Sequence, residues 1–420
     1  MSNVNNTPSS VSCDAPAAGV LTQEQAQERI LAAIHPLQTC ERVGLRQAYG
    51  RILAHSLTAR IAVPPHRNSA MDGYALRHAD LATGQMLRVI GSSFAGHPFS
   101  GTVQAGECVR IMTGAVAPEG ADSVVMQENV QRDGDSIRVL GKIKPGEHIR
   151  HPGEDLRPGD AMLMAGRKLN AADLGLLASQ GFSEVDVIRR PRVAFCSTGD
   201  ELKGIGETLQ MGEIYDSNRY TLYGMLQQLD VDIIDMGVAR DTPAAVEHTF
   251  RQASQMADIF ITSGGVSVGE ADFVTATLRQ LGQVDFWKIA IKPGKPLAFG
   301  TLGNCFFFGL PGNPVSVMAT FILFVRPAIL RMRGETLPVT PEYPAICETP
   351  LKKAPGRKDF QRGVCERDAT GQWRVRSTGG QGSHILRSMS QANCFIALPL
   401  EWGSVEAGTT VPIIPFAGLL

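Results

Sequence analysis

The 420-residue sequence has no dominant charge, no closely paired cysteines and no long apolar run. Its 40 Lys and Arg residues balance 41 Asp and Glu residues to a net charge of −1, so no global field draws the chain to nucleic acid or to an anionic membrane. Any anion that the chain binds must therefore meet a local site. The longest apolar stretch, Val315 to Val325, falls well short of the ~20 residues that cross a bilayer.

Cysteine spacing and the composition of the N-terminal residues both favour a location in the cytoplasm. The 8 cysteines form no C-x-x-C pair, so neither a disulfide framework nor a zinc site is predicted. Residues 1–20 are rich in Ser, Asn, Ala and Pro and lack a basic start followed by an apolar block, which predicts a disordered tail rather than a signal peptide. We therefore expect a soluble cytoplasmic protein without membrane or nucleic-acid partners.

Glycine and proline are abundant, with 44 and 25 residues, and predict frequent turns. Thr22 and Gln25 form a capping box that predicts a helix over 23–35, and a second helix is predicted over 45–53. Short alternating runs then indicate a small antiparallel β unit, inserted between two halves of a helical layer that resumes with a helix over 169–181. The predicted divisions are a tail (1–20), a helical or mixed domain (21–60 plus 151–190), an inserted β domain (61–150), an α/β domain (191–335) and a C-terminal β-barrel-like domain (336–420).

The rhythm of strand followed by helix from Arg192 onward predicts an α/β fold. Continuous apolar strands at 192–198, 231–239, 258–263 and 305–310 alternate with helices over 217–229, from Thr242, over 270–281 and from Pro314. Such runs are typical of a parallel sheet with helices on both faces. The fold class is therefore multidomain α/β, with a central parallel α/β/α domain and β domains around it.

Four predicted strands end in segments rich in hydroxyls, carboxylates and glycine. Because ligands bind outside the carboxyl ends of parallel strands, these segments are predicted to form one site. Glycine lets backbone N–H groups approach an anion, and Asn313 with Pro314 opens a helix whose positive end favours a phosphate. A phosphate-bearing ligand is predicted, although neither a P-loop nor a dinucleotide fingerprint is present. The segments are Gly199-Asp200-Glu201, Arg240-Asp241, the run from Gly264 to Asp272, and Pro311-Gly312-Asn313-Pro314.

A lysine-rich stretch from Trp287 to Pro296 carries Lys288, Lys292 and Lys295. Its prolines predict a stiff loop, in which neighbouring ammonium groups would bind an oxyanion at little ordering cost. Solvated lysines are the alternative interpretation. Carboxylates at the strand ends are hard oxygen ligands that could hold Mg²⁺ against phosphate oxygens. These carboxylates are Asp200, Glu201, Asp241, Glu270 and Asp272.

One competing motif, Gly265-Val266-Ser267-Val268-Gly269, fits the G-x-S-x-G nucleophile elbow of α/β hydrolases. In an elbow a helix follows the serine at once, whereas here Glu270-Ala271-Asp272 intervenes. His384 is the one histidine downstream of the motif. The context therefore argues against a hydrolase, and labelling of Ser267 by an activated phosphonate would support one.

Ten sequence blocks follow one another in a single order: NSAMDGYA from Asn68, IMTGA from Ile111, GADSVVMQE from Gly120, GED from Gly153, STGDEL from Ser197, IYDSN from Ile214, ITSGGVSVGEAD from Ile261, IAIKPGKP from Ile289, GLPGNPVS from Gly309 and SMSQANCF from Ser388. Together they resemble the molybdopterin molybdenumtransferase (MoeA) family, which includes the gephyrin E domain. The resemblance runs from about residue 22 to about residue 415.

The resemblance implies an elongated homodimer of four-domain subunits, with a central molybdopterin-binding α/β domain. The α/β and C-terminal β domains of one subunit would form a cleft against the N-terminal domains of the other. It also implies a reaction, in which adenylylated molybdopterin and molybdate give molybdenum cofactor and AMP in a Mg²⁺-dependent step. Other enzymes of molybdenum cofactor biosynthesis are implied as partners.

The family motifs also imply residue roles. Asp72, Asp155, Glu201 and Asp272 would be catalytic, and Glu201, Asp241 and Asp272 would hold the metal against the pyrophosphate. Lys292 and Lys295 would hold molybdate, and an Asp272→Asn variant is expected to keep the fold and lose AMP release. The remaining residues implied in substrate binding are Thr113, Ser263, Gly264, Gly265, Ser267, Lys288, Pro311, Asn313, Pro314, Arg357, Arg362 and Ser383.

The sequence departs from the family pattern in the segment Pro65-His66-Arg67-Asn68, where an aromatic residue and an acid often stand. Asp72 is unaffected, and His66 is interpreted as a solvent-facing loop residue rather than a metal ligand. Two other functions remain open. The chain could instead adenylylate the pterin, which AMP release without ATP use would exclude, or serve as a gephyrin-like scaffold, which molybdate-dependent turnover would exclude.

Overall fold

A computed structural model describes residues 19–265, 272–336 and 340–419. Residues 1–18 of the predicted tail, Ser267 and Glu270 therefore lie outside the described residues, whereas Val20 at the end of that tail belongs to a strand. The chain divides into two units, of which unit 1 comprises the described parts of Met1–Glu41, Gly50–Ile52 and Ile188–Leu420. Unit 2 comprises Arg42–Tyr49 and Leu53–Val187.

The elements of the first 190 residues are mostly short strands. They are β1 (Val20–Leu21), α1 (Gln23–Ala33), β2 (Cys40–Gly44), β3 (Leu57–Thr58), β4 (Asn68–Ser69), β5 (Gly73–Leu76), β6 (Leu87–Ser93), β7 (Glu107–Ile111), β8 (Ser123–Met126), β9 (Val130–Asp133), β10 (Ser136–Val139), β11 (Ile149–Arg150), β12 (Ala161–Leu163), α2 (Ala171–Ser179) and β13 (Glu184–Ile188), with 3₁₀ turns at Leu45–Ala48, His78–Thr83 and Gln127–Asn129.

The later elements alternate strands with longer helices before a final run of strands. They are β14 (Arg192–Thr198), β15 (Leu202–Lys203), β16 (Ile214–Tyr215), α3 (Ser217–Gln227), β17 (Asp232–Ala239), α4 (Pro243–Met256), β18 (Ile259–Ser263), α5 (Asp272–Leu281), β19 (Gln283–Ile289), β20 (Ile291–Lys292), β21 (Pro296–Leu302), β22 (Cys305–Leu310), α6 (Pro314–Thr320), a π-helical turn (Phe321–Val325), α7 (Arg326–Met332), β23 (Tyr343–Cys347), β24 (Lys358–Arg367), β25 (Trp373–Ser377), α8 (Leu386–Gln391), β26 (Cys394–Leu398) and β27 (Thr410–Pro415).

Helix starts follow the capping residues in the sequence. The capping box before α1 is confirmed, since Gln25 N donates to Thr22 Oγ1 at 3.2 Å and Thr22 N donates to Gln25 Oε1 at 3.0 Å. The predicted helix over 45–53 is wrong beyond its first turn, which is the 3₁₀ turn Leu45–Ala48. Gly50 adopts a positive φ of 75°, a conformation that does not continue a helix.

Unit 2 contains a six-stranded sheet with the order β8-β5-β7-β6-β10-β9, antiparallel except for the β6–β7 pair. Beside it, residues from both ends of the unit in sequence, such as Ala48, Leu53, Leu177 and Val187, share one apolar core. The finer domain divisions expected from the sequence remain predictions.

Unit 1 is built on a seven-stranded sheet with the order β1-β19-β21-β22-β18-β14-β17. The four adjacent strands β22, β18, β14 and β17, at one end of this order, are parallel, as expected. The sheet also contains strands that were not predicted, and of these β21 runs antiparallel to β22 and to β19. Only two residues separate β21 from β22, and a connection that short joins antiparallel strands alone.

The lysine-rich stretch is also more regular than the predicted loop. Its first residues end β19, Lys292 lies on β20, and Pro296 begins β21. Only residues 293–295 connect β20 to β21.

Helices cover both faces of this sheet. One face packs against α1, α3 and the helical stretch Pro314–Met332, and the other packs against α4 and α5. The stretch Pro314–Met332 is long and apolar enough to cross a membrane, yet 83% of its apolar window is buried inside unit 1. It therefore serves as the central core helix of the α/β layer.

The C-terminal strands form a closed barrel, confirming the predicted C-terminal β domain. The order β20-β24-β25-β23-β27-β26 is completed by a direct β24–β26 pairing. The barrel also pairs with the α/β layer, because β20 lies parallel to β24 and Lys292 is the register partner of Asp359. This pairing positions the barrel beside the strand ends of the sheet.

Candidate active site

A cavity of about 980 Å³ lies in unit 1 where β14, β18 and β22 end. Most of the site residues expected in unit 1 line this cavity. The sequence alone could not show that the barrel closes one side of the cavity. The expected residues on its wall are Glu201, Asp241, Ser263, Gly264, Gly265, Lys292, Lys295, Pro311, Asn313, Pro314, Arg357 and Ser383.

Two glycines at the end of β18 allow the backbones to approach closely. A Cβ on Gly264 would lie 2.8 Å from the carbonyl oxygen of Thr198, and one on Gly265 would lie 2.9 Å from Thr198 Oγ1. Both glycines also have a positive φ. The turn therefore requires glycine for conformation and for space.

Carboxylates line the wall next to β14 and β17. Burial raises the pKa of Asp241, and the negative charges of Asp200 and Glu201 raise it further. Asp241 N also donates to Asp200 Oδ1 at 3.1 Å. This cluster therefore concentrates negative charge at the cavity, where a cation would stabilise it.

Carboxylate oxygens of Glu201 and Asp241 are the donors that Mg²⁺ prefers, so this part of the site fits the ion. Asp272 begins α5, and its side chain lies outside the described part of the structure. Within residues 19–265, 272–336 and 340–419, no three His, Cys, Asp or Glu side chains are grouped closely enough to hold a metal. A complete ligand set is therefore not assembled from the described side chains alone.

Cationic side chains line the wall next to the barrel. Lys292 ends β20, Lys295 lies in the connection from β20 to β21, and Arg357 comes from a barrel loop. Lys292 Nζ lies 3.2 Å from Asp359 Oδ2. Lys295 and Arg357 are exposed, which leaves their charges accessible to an anion.

The barrel loop Gln381–His384 is held against the start of α6. Val315 N donates to Ser383 O at 3.1 Å, which satisfies one N–H group of the first helical turn. Gln381 Oε1 accepts from Arg362 N at 2.8 Å, and Arg362 Nη2 donates to Gly382 O at 3.0 Å. These bonds fix the loop that presents Ser383 to the cavity.

Two expected substrate-binding residues do not line the cavity. Lys288 is an exposed residue near the end of β19. Arg362 is only 1% exposed, and its Nε donates to Ser388 Oγ at 3.0 Å. Arg362 thus bonds to Ser388 and, through Nη2, to the loop beside the cavity, and its contact with an oxyanion stays a prediction.

Three residues of the expected site belong to unit 2. Asp72 follows β4, and its Oδ1 accepts from Thr113 N and Thr113 Oγ1, both at 2.7 Å. These bonds lower the pKa of Asp72, the hydroxyl having the larger effect. Asp155 is exposed.

The sequence reasoning assigned no role to several polar residues that line the cavity. Among the described residues, Thr198 Oγ1, Asp216 Oδ2 and Asn218 Oδ1 are buried and without a hydrogen-bond partner. Asn218 Nδ2 donates to Gly312 O at 2.7 Å, which turns its Oδ1 the other way. The signal that could have identified Asp216 and Asn218 is the IYDSN block, where Asp216 caps α3.

Three protein-family models together match nearly all of the described chain. The MoeA N-terminal region (domain I and II) matches residues 21–181, the probable molybdopterin binding domain matches residues 194–331, and the MoeA C-terminal region (domain IV) matches residues 344–416. The three matches are arranged along the chain in that order.

Individual relatives agree with these matches. A molybdopterin molybdenumtransferase from Haemophilus influenzae is 48% identical over 404 residues, covering 96% of this chain and 100% of that protein. One from Nostoc is 36% identical over 90% of this chain and 89% of that protein. The crystal structure of a molybdopterin biosynthesis MoeA protein from Pyrococcus horikoshii matches with a TM-score of 0.80 and 30% identity, covering 94% of this chain and 100% of that one. The chain therefore belongs to the MoeA family of molybdopterin molybdenumtransferases.

Proposed function

We propose that this protein inserts molybdate into adenylylated molybdopterin, cleaving the phosphoanhydride and releasing AMP as molybdenum cofactor forms. The observation that carries the proposal is the division of one cavity into a cationic wall and an acidic wall in a member of this family. Adenylylated molybdopterin has a pyrophosphate between two ring systems, and molybdate is a tetrahedral dianion. Both anions need the cations that the barrel side supplies.

The cationic wall would bind and orient the two anions. Lys292, already paired with Asp359, and Lys295, which is exposed, would donate to molybdate oxygens beside the dithiolene of the pterin. Ser383, held in place through its own carbonyl, would add a hydroxyl donor. At the turn formed by Gly264 and Gly265, the backbone N–H of Gly265 would approach the pyrophosphate, because no side chain blocks it. The N–H of Gly264 already donates to Leu310 O at 3.0 Å.

The acidic wall would hold Mg²⁺ through Glu201 and Asp241. Bound there, the ion would polarise the phosphoanhydride and neutralise charge as AMP leaves. Without a cation, Asp241 is unfavourably placed beside Asp200 and Glu201, which its raised pKa reflects. Asp272 is proposed as a further ligand from the family motif.

We further propose that the active enzyme is a homodimer in the cytoplasm. The family implies that Asp72, Thr113 and Asp155 complete the site of the partner subunit. The seven described cysteines are free thiols, which is compatible with a reducing compartment. Other enzymes of the same biosynthesis would supply the substrate and receive the product.

The test measures AMP release by the purified protein from adenylylated molybdopterin, molybdate and Mg²⁺. We expect release that depends on both ions and consumes no ATP. Lys295→Ala should weaken the molybdate dependence by about tenfold, the size of a lost charged hydrogen bond. Lys352→Ala removes an exposed lysine that does not line the cavity and serves as the control. Molybdate-independent release, or an unchanged molybdate dependence in Lys295→Ala, would contradict the assignment.

A further inference from the structure

The carboxylate of Asp359 lies behind the cationic wall of the cavity. Asp359 is 3% exposed and is the register partner of Lys292 in the parallel β20–β24 pair. Its Oδ2 lies 3.2 Å from Lys292 Nζ and 3.1 Å from Gln361 Nε2. Gln361 is itself buried and donates from the same nitrogen to Lys352 O at 2.9 Å. The carboxylate is therefore held in a fixed orientation.

A buried carboxylate is costly unless cations and donors compensate it. Burial lowers the pKa of Lys353 and of Arg362, and the charge of Asp359 opposes that lowering in both. Within the described part of the chain, however, neither cation donates to Asp359. Arg362 donates to Ser388 Oγ and Gly382 O, and Lys353 Nζ donates to the carbonyls of Ala354, Leu400 and Trp402. Lys292 is thus the cation that bonds directly to Asp359.

The Lys292 side chain is 41% exposed, whereas that of Asp359 is 4% exposed, so the pair spans the cavity wall. An ammonium has three N–H donors, and one is directed at Asp359. No second acceptor for Lys292 is found within the described ranges, so the other two donors can meet a ligand on the cavity side. A lysine without this partner would lose more rotamer freedom when an anion binds.

We propose that Asp359 is a positioning residue, which holds the Lys292 ammonium at the cavity wall so that it binds molybdate. This inference rests on the proposed function, because it gives Lys292 the same oxyanion. Asp359 itself touches no substrate. Its effect on turnover passes through Lys292 alone.

The test is a double-mutant cycle on molybdate-dependent AMP release. Asp359→Asn should raise KM for molybdate by about tenfold, as expected for a lost charge-assisted bond, with kcat changed by less than about twofold. Lys292→Ala should raise KM at least as much. In the double variant, Asp359→Asn should add nothing to Lys292→Ala, because the residue through which it acts is gone.

A matched control separates positioning from a merely structural role. Asp368 also lies in the barrel, where its Oδ2 accepts from Arg374 Nε at 2.9 Å, and it does not line the cavity. Asp368→Asn should leave KM for molybdate unchanged. Additive effects in the double variant would overturn the proposal. So would a lower KM in Asp359→Asn, which would mean that the carboxylate only repels the anion.

A structural readout distinguishes failure of this inference from failure of the proposed function. If the wild-type protein shows no molybdate-dependent AMP release, the function fails. Crystal structures of the wild type and of Asp359→Asn then still test the positioning. We expect the Lys292 ammonium to leave its wild-type place in the variant, and an unmoved ammonium would overturn the inference.

Discussion

Asp72 and Thr113, 41 residues apart in sequence, are joined by two hydrogen bonds to one carboxylate oxygen. Both donors of Thr113, its hydroxyl and its backbone N–H, reach Asp72 Oδ1 at 2.7 Å. Asp72 is exposed, so its lowered pKa reflects these bonds and the nearby charge of Arg110 rather than a buried ion pair. The carboxylate is kept ionised and its orientation is fixed.

Removing the hydroxyl should raise the pKa of Asp72. In Thr113→Val the bond with the larger effect on the pKa is lost while the N–H bond remains, so the pKa should move part of the way back toward its ordinary value. Since the wild-type pKa is depressed, the variant carboxylate would protonate at a higher pH, and the acid limb of the activity profile should move upward. Carboxyl ¹³C shifts against pH measure the pKa directly. Thr113→Ser keeps the hydroxyl and should match the wild type, and equal pKa values in all three proteins would contradict the argument.

Neutralising Asp241 should stabilise the protein while it impairs the site. The native-state pKa of Asp241 is raised, so the folded protein binds this proton more tightly than the unfolded chain does. Ionisation therefore costs stability as the pH rises through the interval between the ordinary and the raised pKa.

Without Mg²⁺ at neutral pH, Asp241→Asn should raise Tm by an amount on the order of 1 °C, and the gain should vanish at low pH. AMP release should fall. Thermal unfolding at several pH values, with and without Mg²⁺, measures the gain in Tm and its pH dependence. The AMP-release assay measures the loss of activity. A variant less stable than the wild type at neutral pH would show that the carboxylate is compensated already.

Alanine at Gly264 should destabilise the turn at the end of β18. Its φ of +94° strains an L-residue, and the added Cβ would lie 2.8 Å from Thr198 O. We expect a loss of at least about 2 kcal/mol in the free energy of unfolding. Gly224 in α3 is the matched control, because a Cβ there meets nothing within 4 Å. Gly224→Ala should stabilise the protein by up to about 1 kcal/mol through helix propensity. Denaturant unfolding measures both variants, and equal effects of the two substitutions would contradict the argument.

Replacing Arg362 should cost stability more than chemistry. Burial lowers the pKa of Arg362 to about 10, so the guanidinium still carries its charge at neutral pH and donates to Gly382 O and Ser388 Oγ. Arg362→Gln would leave those buried acceptors without their partner, and we expect a loss of about 3 kcal/mol on unfolding. Denaturant titration measures it. Full stability with a raised KM for molybdate would instead favour the direct oxyanion contact that the family motif implies.

Local patterns along the chain predicted many of the elements correctly. The strand over 192–198 and the capping of α1 by Thr22 depend on neighbouring residues, and the structure has both. The antiparallel strands β19 and β21 were missed, because lysines and prolines between them were interpreted as a loop. Their partners are close in the chain, since β19 pairs with β21 and β21 pairs with β22, so it was the interpretation of the lysine-rich stretch as a loop that hid these strands.

The sequence by itself determined the α/β rhythm, the glycine turns at the strand ends and the motifs that identify the family, because each depends on residues close together in the chain. Only the tertiary structure decided that Arg362 is buried and that Asp359 supports Lys292, 67 residues away. The pairing of β20 with β24 creates that contact, and neither strand contains a signal for it. Burial and charge pairing between residues so far apart in sequence arise from packing. They can therefore be recognised only in the folded structure, where the barrel packs against the sheet.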